Sequence, residues 1–235
     1  TLATQLSAIQ NSSVMALASN LELIQVPDPN QAGVEYLTAE FHGINIRIVN
    51  GQGSTASANG LGNLTVGYNE TDANAAEVCS DGAQETQPNC VNFGGSWARN
   101  HRSGSHNLIV GSGNAYSQYG GLLAGNRNAV TRAYATVSGG RDNLARGENA
   151  IVAGGNSNTA SSRYTTVAGG GYNRAIVIGA SVAGGYTNSS AANYANVSGG
   201  FGNTATGNYA TVGGGRERSA SGDYDWRAGT LFENQ

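Results

Sequence analysis

Side chains that could carry chemistry are few and scattered in this sequence. The three histidines are His42, His101 and His106. The last two are five residues apart in an arginine-containing stretch and could ligate a metal ion, but no third ligand stands at a spacing typical of metal sites. A phosphate-binding loop would need a lysine, which the chain lacks, and no Gly-x-Ser-x-Gly elbow lies between a strand and a helix. The sequence therefore predicts no catalytic residue, no cofactor and no metal site.

Carboxylates are equally dispersed. Asp142, Glu148, Asp223 and Asp225 fall at different positions of the repeat described below, so no column of acidic residues recurs. A glycosidase-type pair of carboxylates could form only between chains, as in phage tailspikes. We therefore expect a protein that is not an enzyme, and a tailspike-like polysaccharide hydrolase is the disfavoured alternative.

Tyrosine is the side chain that recurs most regularly. It stands at intervals of 15 residues or a multiple of 15, at Tyr119, Tyr134, Tyr164, Tyr194, Tyr209 and Tyr224. On stacked coils these rings would recur at multiples of about 4.8 Å. They could stack on one another or lie in a seam between chains, or they could form an exposed surface that binds sugar rings or another protein.

These tyrosines belong to a 15-residue repeat that starts at Tyr119 and follows the pattern Tyr-Ala-Thr-Val-Ser-Gly-Gly-x-x-Asn-Thr-Ala-x-Gly-x. The apolar column consists of Leu122, Val137, Val152, Val167, Val182, Val197 and Val212. A glycine pair follows each apolar residue from Gly139 onward, with Ala124 and Gly125 in the first copy, and an asparagine column runs from Asn128 to Asn203. Such self-similarity indicates a repeat architecture.

The period selects the class of repeat. Helical repeats and propeller blades need more than about 30 residues per unit, and helices do not tolerate a glycine pair in each copy. A 15-residue unit suits one coil with two short strands and two tight turns. Alternation then places Ala135, Val137 and Gly139 on one face, and Tyr134, Thr136 and Ser138 on the other. We predict an all-β fold, a parallel β-roll or β-helix solenoid with 15-residue coils.

The thin core predicts self-assembly. Each coil buries roughly one valine and two or three alanines or glycines, a small apolar area for the conformational entropy lost by its 15 residues. The outward column beside the valines is uniformly small and would permit close approach of another backbone: Ser138, Ala153, Ala168, Ala183, Ser198 and Gly213. We expect an oligomer with coils packed side by side, and a monomeric solenoid is the alternative.

The coils resemble the head domains of trimeric autotransporter adhesins (YadA-like heads). The resemblance rests on Val137-Ser-Gly-Gly with Asn143-Leu-Ala-Arg-Gly147, and on Val197-Ser-Gly-Gly with Asn203-Thr-Ala-Thr-Gly207. It covers residues 105–229, although the period is 15 where the family repeat is usually 14. It implies a left-handed parallel β-roll, a homotrimer, export to a bacterial cell surface and a role in adhesion.

The N-terminal part divides into two segments. Residues 1–24 show apolar residues at helical spacing and predict a short helix, either the end of a coiled-coil stalk or an amphipathic helix on the roll. Residues 25–69 predict a β cap and a first coil, with alternating strands over 34–42 and 44–49.

Residues 70–104 interrupt the repeat and contain the only two cysteines, Cys79 and Cys90. We predict a disulfide-closed loop insertion, which favours an oxidising, exported setting, with reduced thiols in a cytosolic protein as the alternative. The loop could bind a ligand or cover seams between chains.

The C-terminal end departs from the repeat. The 15-residue repeats extend over 105–229, and residues 230–235 form a cap tail. Trp226 and Phe232 are expected to cover the open end of the roll, or else to dock the next protein of a fibre.

Composition excludes further classes. The net charge is −3 and all 12 basic residues are arginine, so we expect no nucleic acid partner, since such binding needs a basic stripe. No apolar run is long enough to span a bilayer. The resemblance to adhesin heads, together with the cysteine pair, implies an extracellular or bacterial cell-surface protein, structural or adhesive, whose partners are its own copies and a surface glycan or protein. The alternative is a ligand-recognition solenoid that binds ice or glycans, although the outward column that begins with Thr136 and Ile151 is too mixed for a regular ice-binding face.

Overall fold

A computed structural model describes residues 2, 4–5 and 17–229 of the chain. The chain divides into two units, Thr1–Arg47 and Ile48–Gln235. No helix among the described residues is long and apolar enough to cross a bilayer.

The first unit contains an antiparallel hairpin of β1 (Leu21–Pro27) and β2 (Glu35–Phe41). The prediction of a helix over 1–24 is therefore wrong at its end, where Leu21 to Ile24 lie in β1. Leu21 and Leu23 alternate with Glu22 across the strand, and pairing along all seven residues of β2 overrides the helical spacing. Residues 2, 4, 5 and 17 are helical, and the rest of the predicted helix up to residue 16 lies outside the described residues.

The strand predicted over residues 44–49 is also wrong. These residues belong to no strand, and Ile44, Ile46 and Ile48 are exposed. Alternation indicates an extended backbone with two faces, but a strand also needs a hydrogen-bonded neighbour along its edge. Among the described residues, none pairs with this segment.

The second unit is built on two parallel sheets, one of ten and one of eight strands in the described part of the chain. The ten-stranded sheet contains β3 (Leu64–Val66), β6 (Leu108–Ser112), β8 (Leu122–Asn126), β10 (Thr136–Val137), β12 (Ile151–Val152), β14 (Thr166–Val167), β16 (Ser181–Val182), β18 (Asn196–Val197), β20 (Thr211–Val212) and β22 (Trp226–Arg227). The eight-stranded sheet contains β7 (Ala115–Tyr116), β9 (Ala129–Val130), β11 (Leu144–Ala145), β13 (Thr159–Ala160), β15 (Arg174–Ala175), β17 (Ser189–Ser190), β19 (Thr204–Ala205) and β21 (Ser219–Ala220). Between β3 and β6 the chain forms a small antiparallel pair, β4 (Glu77–Cys79) and β5 (Trp97–Arg99), with α1 (Gln87–Asn92) between them.

The predicted solenoid is confirmed. From β6 to β21 each coil contributes one strand to each sheet, and equivalent strands of successive coils pair in parallel, so that Val137 lies beside Val152 and Val152 beside Val167. The valines from Val137 to Val212 are fully buried and share one core with the alanine column of the other sheet. The outward position of Thr136 and Ser138 is as predicted.

The first coils contain 14 residues rather than 15. Leu123 pairs with both Ile109 and Val137, which lie 14 residues before and after it. The prediction that Leu122 heads the buried column is therefore wrong: Leu123 is fully buried, and Leu122 pairs with Thr136 in the outward column. Because Leu122 and Leu123 are adjacent, the sequence alone does not show which of the two is buried.

The additional residue of the longer coils lies at Ser138–Gly139. Leu123 pairs with Val137, and the next bridge joins Asn126 to Arg141. Two residues lie between Leu123 and Asn126, but three lie between Val137 and Arg141, so the later coil is one residue longer here. Gly140 then matches Gly125, and Ala124 is not the equivalent of Gly139 as the 15-residue alignment had it. The longer coil is thus the 14-residue coil with one small residue added beside the valine.

A column of buried asparagines joins the coils on the side of the core. The amide of Asn158 shows the pattern: its Nδ2 donates to the Gly154 carbonyl oxygen in its own coil and to the Gly170 oxygen in the next, both at 2.9 Å. Its Oδ1 accepts the backbone N–H of Asn173 at 2.9 Å. The column contains Asn69, Asn114, Asn128, Asn143, Asn158, Asn173, Asn188 and Asn203, all buried. Because both the Nδ2 and the Oδ1 of the amide are hydrogen-bonded, the asparagine side chain can be buried without the cost of an unpaired polar group.

We predict that Asn173→Ala destabilises the solenoid by about 2–4 kcal/mol. The change leaves the Gly169 and Gly185 oxygens without their amide donor and the Asn188 N–H without its acceptor. Chemical denaturation followed by circular dichroism measures the loss. Asn193→Ala is the control, because Asn193 is exposed and bonds only to Asn208 across the surface, and it should change stability by less than about 0.5 kcal/mol. Equal effects of the two substitutions would contradict a structural role for the column.

Candidate functional site

The tyrosine column lies on an outer edge of the coils. Tyr194, Tyr209 and Tyr224 stack face to face, with ring centroids 5.4 and 5.2 Å apart and interplanar angles of 8° and 4°. Tyr119 and Tyr134 instead meet edge to face at 5.4 Å. Self-stacking, one of the predicted arrangements, therefore occurs within the single chain, while the rings stay between 45% and 75% exposed from Tyr134 onward.

These tyrosines occupy an unusual backbone conformation. Tyr134, Tyr164, Tyr194 and Tyr209 all have φ between 55° and 61°. This left-handed region is uncommon for residues other than glycine, asparagine and aspartate. Each tyrosine lies in the turn before a strand of the ten-stranded sheet, so the backbone of that turn fixes the direction of the ring. Tyr164 lies between Asn149 and Gly179 in the column, and the Arg163 guanidinium lies 5.8 Å from its ring centroid.

A second aromatic column was missed in the sequence. Tyr186 stacks on Phe201 with centroids 5.8 Å apart and an angle of 10°, Tyr172 meets Tyr186 edge to face at 5.3 Å, and Arg216 covers the Phe201 ring at 5.3 Å. Its 15-residue spacing from Tyr186 to Arg216 was visible, but the column changes residue type at each step.

The column of small residues predicted to contact another chain is exposed along its length. Ser138, Ala153, Ala168, Ala183 and Ser198 each lie on the outer face of the ten-stranded sheet with open surfaces. They precede the first glycine of each pair, so two successive positions per coil carry little or no side chain. The result is a smooth stripe along one face of the solenoid.

The insertion over 70–104 is confirmed as a disulfide-closed segment. Cys79 and Cys90 are bonded, with their Cα atoms 5.6 Å apart, and both are buried. The bond joins β4 to α1, and Gly95 lies against both sulfur atoms, where a Cβ would come within 2.7 Å of the Cys79 sulfur. The close packing around the bond makes the segment compact.

The insertion covers part of its own eight-stranded sheet. Val78 packs with Ala115, Ala129 and Leu144, which point outward from β7, β9 and β11. The Ser117 hydroxyl donates to the Cys79 carbonyl oxygen at 2.9 Å. The insertion thus buries apolar residues that would otherwise face solvent, and the remaining strands of this sheet stay uncovered.

A salt-bridge network anchors the start of the insertion. Arg127 donates two hydrogen bonds to Asp142, at 2.7 and 2.6 Å, and lies 3.6 Å from Asp72. The Asn74 backbone N–H donates to Asp72 at 2.8 Å, and this bond, helped by Arg127, lowers the pKa of Asp72 below its ordinary value. The Asp72 carboxylate therefore stays ionised at neutral pH and holds the loop to the roll.

The histidines of the arginine-containing stretch take structural positions. His106 accepts the Asn50 backbone N–H at 3.2 Å through Nε2, and its Nδ1 lies 3.3 Å from the Thr55 carbonyl oxygen. His101 Nε2 is buried and has no hydrogen-bond partner among the described residues. Over the described ranges, no group of three or more His, Cys, Asp or Glu side chains is arranged to hold a metal ion.

The C-terminal prediction needs correction at Trp226. Trp226 pairs with Thr211 in the outward column and is 65% exposed, whereas Arg227 takes the position below Val212 in the core column. The period of two along the strand makes this assignment, because Asp225 and Arg227 follow the inward positions. Phe232 and the tail over 230–235 lie outside the described residues.

A comparison with protein-family models found no match, and a comparison with curated proteins found no significantly similar sequence. The coils, the stripe and the insertion are therefore the features from which a function can be inferred.

We predict that the double substitution Cys79→Ser and Cys90→Ser loosens the insertion and leaves the later coils intact. Closing a loop of this length is worth about 3 kcal/mol. Hydrogen-exchange mass spectrometry should show faster exchange over residues 75–99 and unchanged protection over 136–220. Loss of protection throughout would show instead that the roll depends on the disulfide.

Proposed function

We propose that this chain is a non-enzymatic structural and adhesive protein that works outside the cell as a homotrimeric head of a bacterial surface fibre. Its coils pack side by side along the stripe of small residues, and its outer surfaces bind a host, matrix or cell-surface ligand. The observation that carries the proposal is the first glycine of four pairs, Gly139, Gly154, Gly169 and Gly184. Gly199 and Gly214 are left out of this observation, because their φ values of +146° and +139° already favour glycine.

The two glycines of a pair have different reasons to be glycine. A Cβ on Gly155 would lie 2.1 Å from the Gly170 carbonyl oxygen, and its φ is +87°, so the chain itself requires glycine there. A Cβ on Gly154 would meet nothing within 4 Å, and its φ lies outside the left-handed region. The same holds at Gly139, Gly169 and Gly184.

Glycine at these open positions weakens the single chain, because it costs about 0.5–1 kcal/mol relative to alanine in a regular segment. The backbone of a neighbouring chain at van der Waals distance would account for glycine at these positions. The adjacent stripe residues, serine or alanine, allow the same close approach.

The hairpin of the first unit gives independent support. Leu23, Leu37 and Phe41 share one face of the β1–β2 ribbon by their pairing register, and all three are at least 45% exposed. A two-stranded sheet is marginal in water without an apolar face to pack on. Neighbouring copies would supply that packing.

Two further features suit an exported head domain. The disulfide between Cys79 and Cys90 favours an oxidising compartment. The coil pattern resembles adhesin heads, and the 14-residue coils over the first part of the roll match the usual length of the family repeat.

Light scattering of the purified chain tests the assembly. We expect a mass three times the 23.9 kDa of one chain, unchanged on dilution and by reductant. A mass of one chain at all concentrations would refute the trimer.

A pair of neighbouring substitutions tests the interface. Gly154→Ala should shift the equilibrium toward monomer on dilution and lower the melting temperature of the assembly, because the new methyl group displaces the partner backbone. Gly155→Ala is the matched comparison and should disrupt the coil itself, since its Cβ meets the next coil. If Gly154→Ala leaves the mass unchanged and stabilises the chain by about 0.4–1 kcal/mol, the position faces solvent and the proposal fails.

A further inference from the structure

A polar groove of about 540 Å³ runs where the insertion ends over the side of the roll. Glu85 of the insertion forms one wall, and Arg132, Arg146 and Arg163 come from successive turns of the roll. Tyr119 and the hydroxyls of Ser161 and Ser162 complete it. The 15-residue repeat does not predict this groove. Its arginines are 14 and 17 residues apart, so they do not form a column of the repeat, and the insertion that completes the groove occurs once.

Arg146 is the least satisfied cation of the groove. Its side chain is 27% exposed, and within the described part of the chain it makes one ion pair, with Glu85 at 4.0 Å, and no side-chain hydrogen bond. Burial lowers the pKa of Arg146, the nearby Glu85 carboxylate partly offsets this, and the positive charge of Arg174 lowers the pKa further. The guanidinium nevertheless remains charged at neutral pH and keeps its hydrogen-bond donors free.

The other two arginines are partly engaged. Arg132 donates to the Ala83 carbonyl oxygen at 2.7 Å, and Arg163 pairs with Glu148. With Arg174 the region holds four arginines against two glutamates, in a chain whose net charge is −3. The groove is therefore a local concentration of positive charge on an acidic protein.

We propose that this groove binds the carboxylate or sulfate groups of an acidic polysaccharide, with Arg146 as the principal contact. A guanidinium fork matches either anion with two parallel hydrogen bonds. The Tyr119 ring and the serine hydroxyls suit a saccharide better than they suit the apolar side chains of a peptide. The inference names a ligand class for the proposed adhesive role and rests on that role.

Isothermal titration calorimetry with defined oligosaccharides tests the groove. The probes are oligogalacturonate, its neutral methyl ester, and a sulfated oligosaccharide with its unsulfated counterpart. We expect the native protein to bind at least one acidic probe and neither neutral one, and the acidic probe that binds identifies carboxylate or sulfate as the anion recognised. Affinity should fall as salt is raised.

Substitutions assign the binding to Arg146. Arg146→Gln should weaken binding of the acidic probe at least about tenfold, the usual effect of losing hydrogen bonds to a charged group. Arg146→Lys keeps the charge but loses the fork and should give an intermediate affinity. Arg216→Gln removes the same charge from a site 75% exposed in the last coils and should leave binding unchanged.

Three results would overturn the groove: no binding of either acidic probe, equal binding of the neutral probes, or equal losses in Arg146→Gln and Arg216→Gln. Light scattering on the same samples separates this proposal from the assembly. A trimer that binds no acidic probe overturns the groove alone, and a monomer that binds through Arg146 overturns the trimer alone.

Discussion

The column of buried asparagines is the interaction on which the solenoid depends. Valine and alanine give each coil little apolar area, so burial alone leaves the coils weakly held to one another. From Asn114 to Asn188 each asparagine amide bonds its own coil, the coil after it and the next asparagine, as Asn158 does with Gly154, Gly170 and Asn173. A strand that slipped by one residue would leave these amides unpaired in the core, which is costly. The column therefore sets the register that the small apolar residues cannot.

This constraint explains which parts of the coil can vary. The additional residue at Ser138–Gly139 changes the coil from 14 to 15 residues, yet Asn128 and Asn143 still bond to each other. The glycine that accepts the amide, such as Gly155, cannot vary, because a Cβ there would meet both the Asn158 amide at 2.7 Å and the next coil. Outward positions are free of this requirement. Any further function must therefore be carried by residues of the outward columns or by insertions between coils.

Periodic features could be predicted from the sequence, and features that occur once could not. The period, the buried valines and the outward stripe follow from repetition, and the disulfide follows from two cysteines in one loop. The helix predicted from the spacing of Leu21 and Ile24 was wrong, because these residues pair with β2, and the spacing of apolar residues does not reveal such a tertiary contact. The prediction for Trp226 was wrong for a different reason. Its size suggested a cap over the end of the roll, but its strand register, set by the preceding coils, places the side chain on the outward face. The groove beside Arg146 needed the insertion to be placed in space before its charges could be seen together.

A regular solenoid presents the same surface at every coil, which suits assembly along its length but offers no unique site. The insertion breaks that equivalence, because its Val78 packs against β7, β9 and β11 and its Glu85 lines the groove on the side of the roll. The disulfide and the Arg127 network hold this one departure from the repeat in place. In the function proposed above, the stripe and the groove divide two tasks between the repeated and the unrepeated parts of the chain. The stripe would join copies wherever coils align, and the groove would provide one distinct recognition point in each chain.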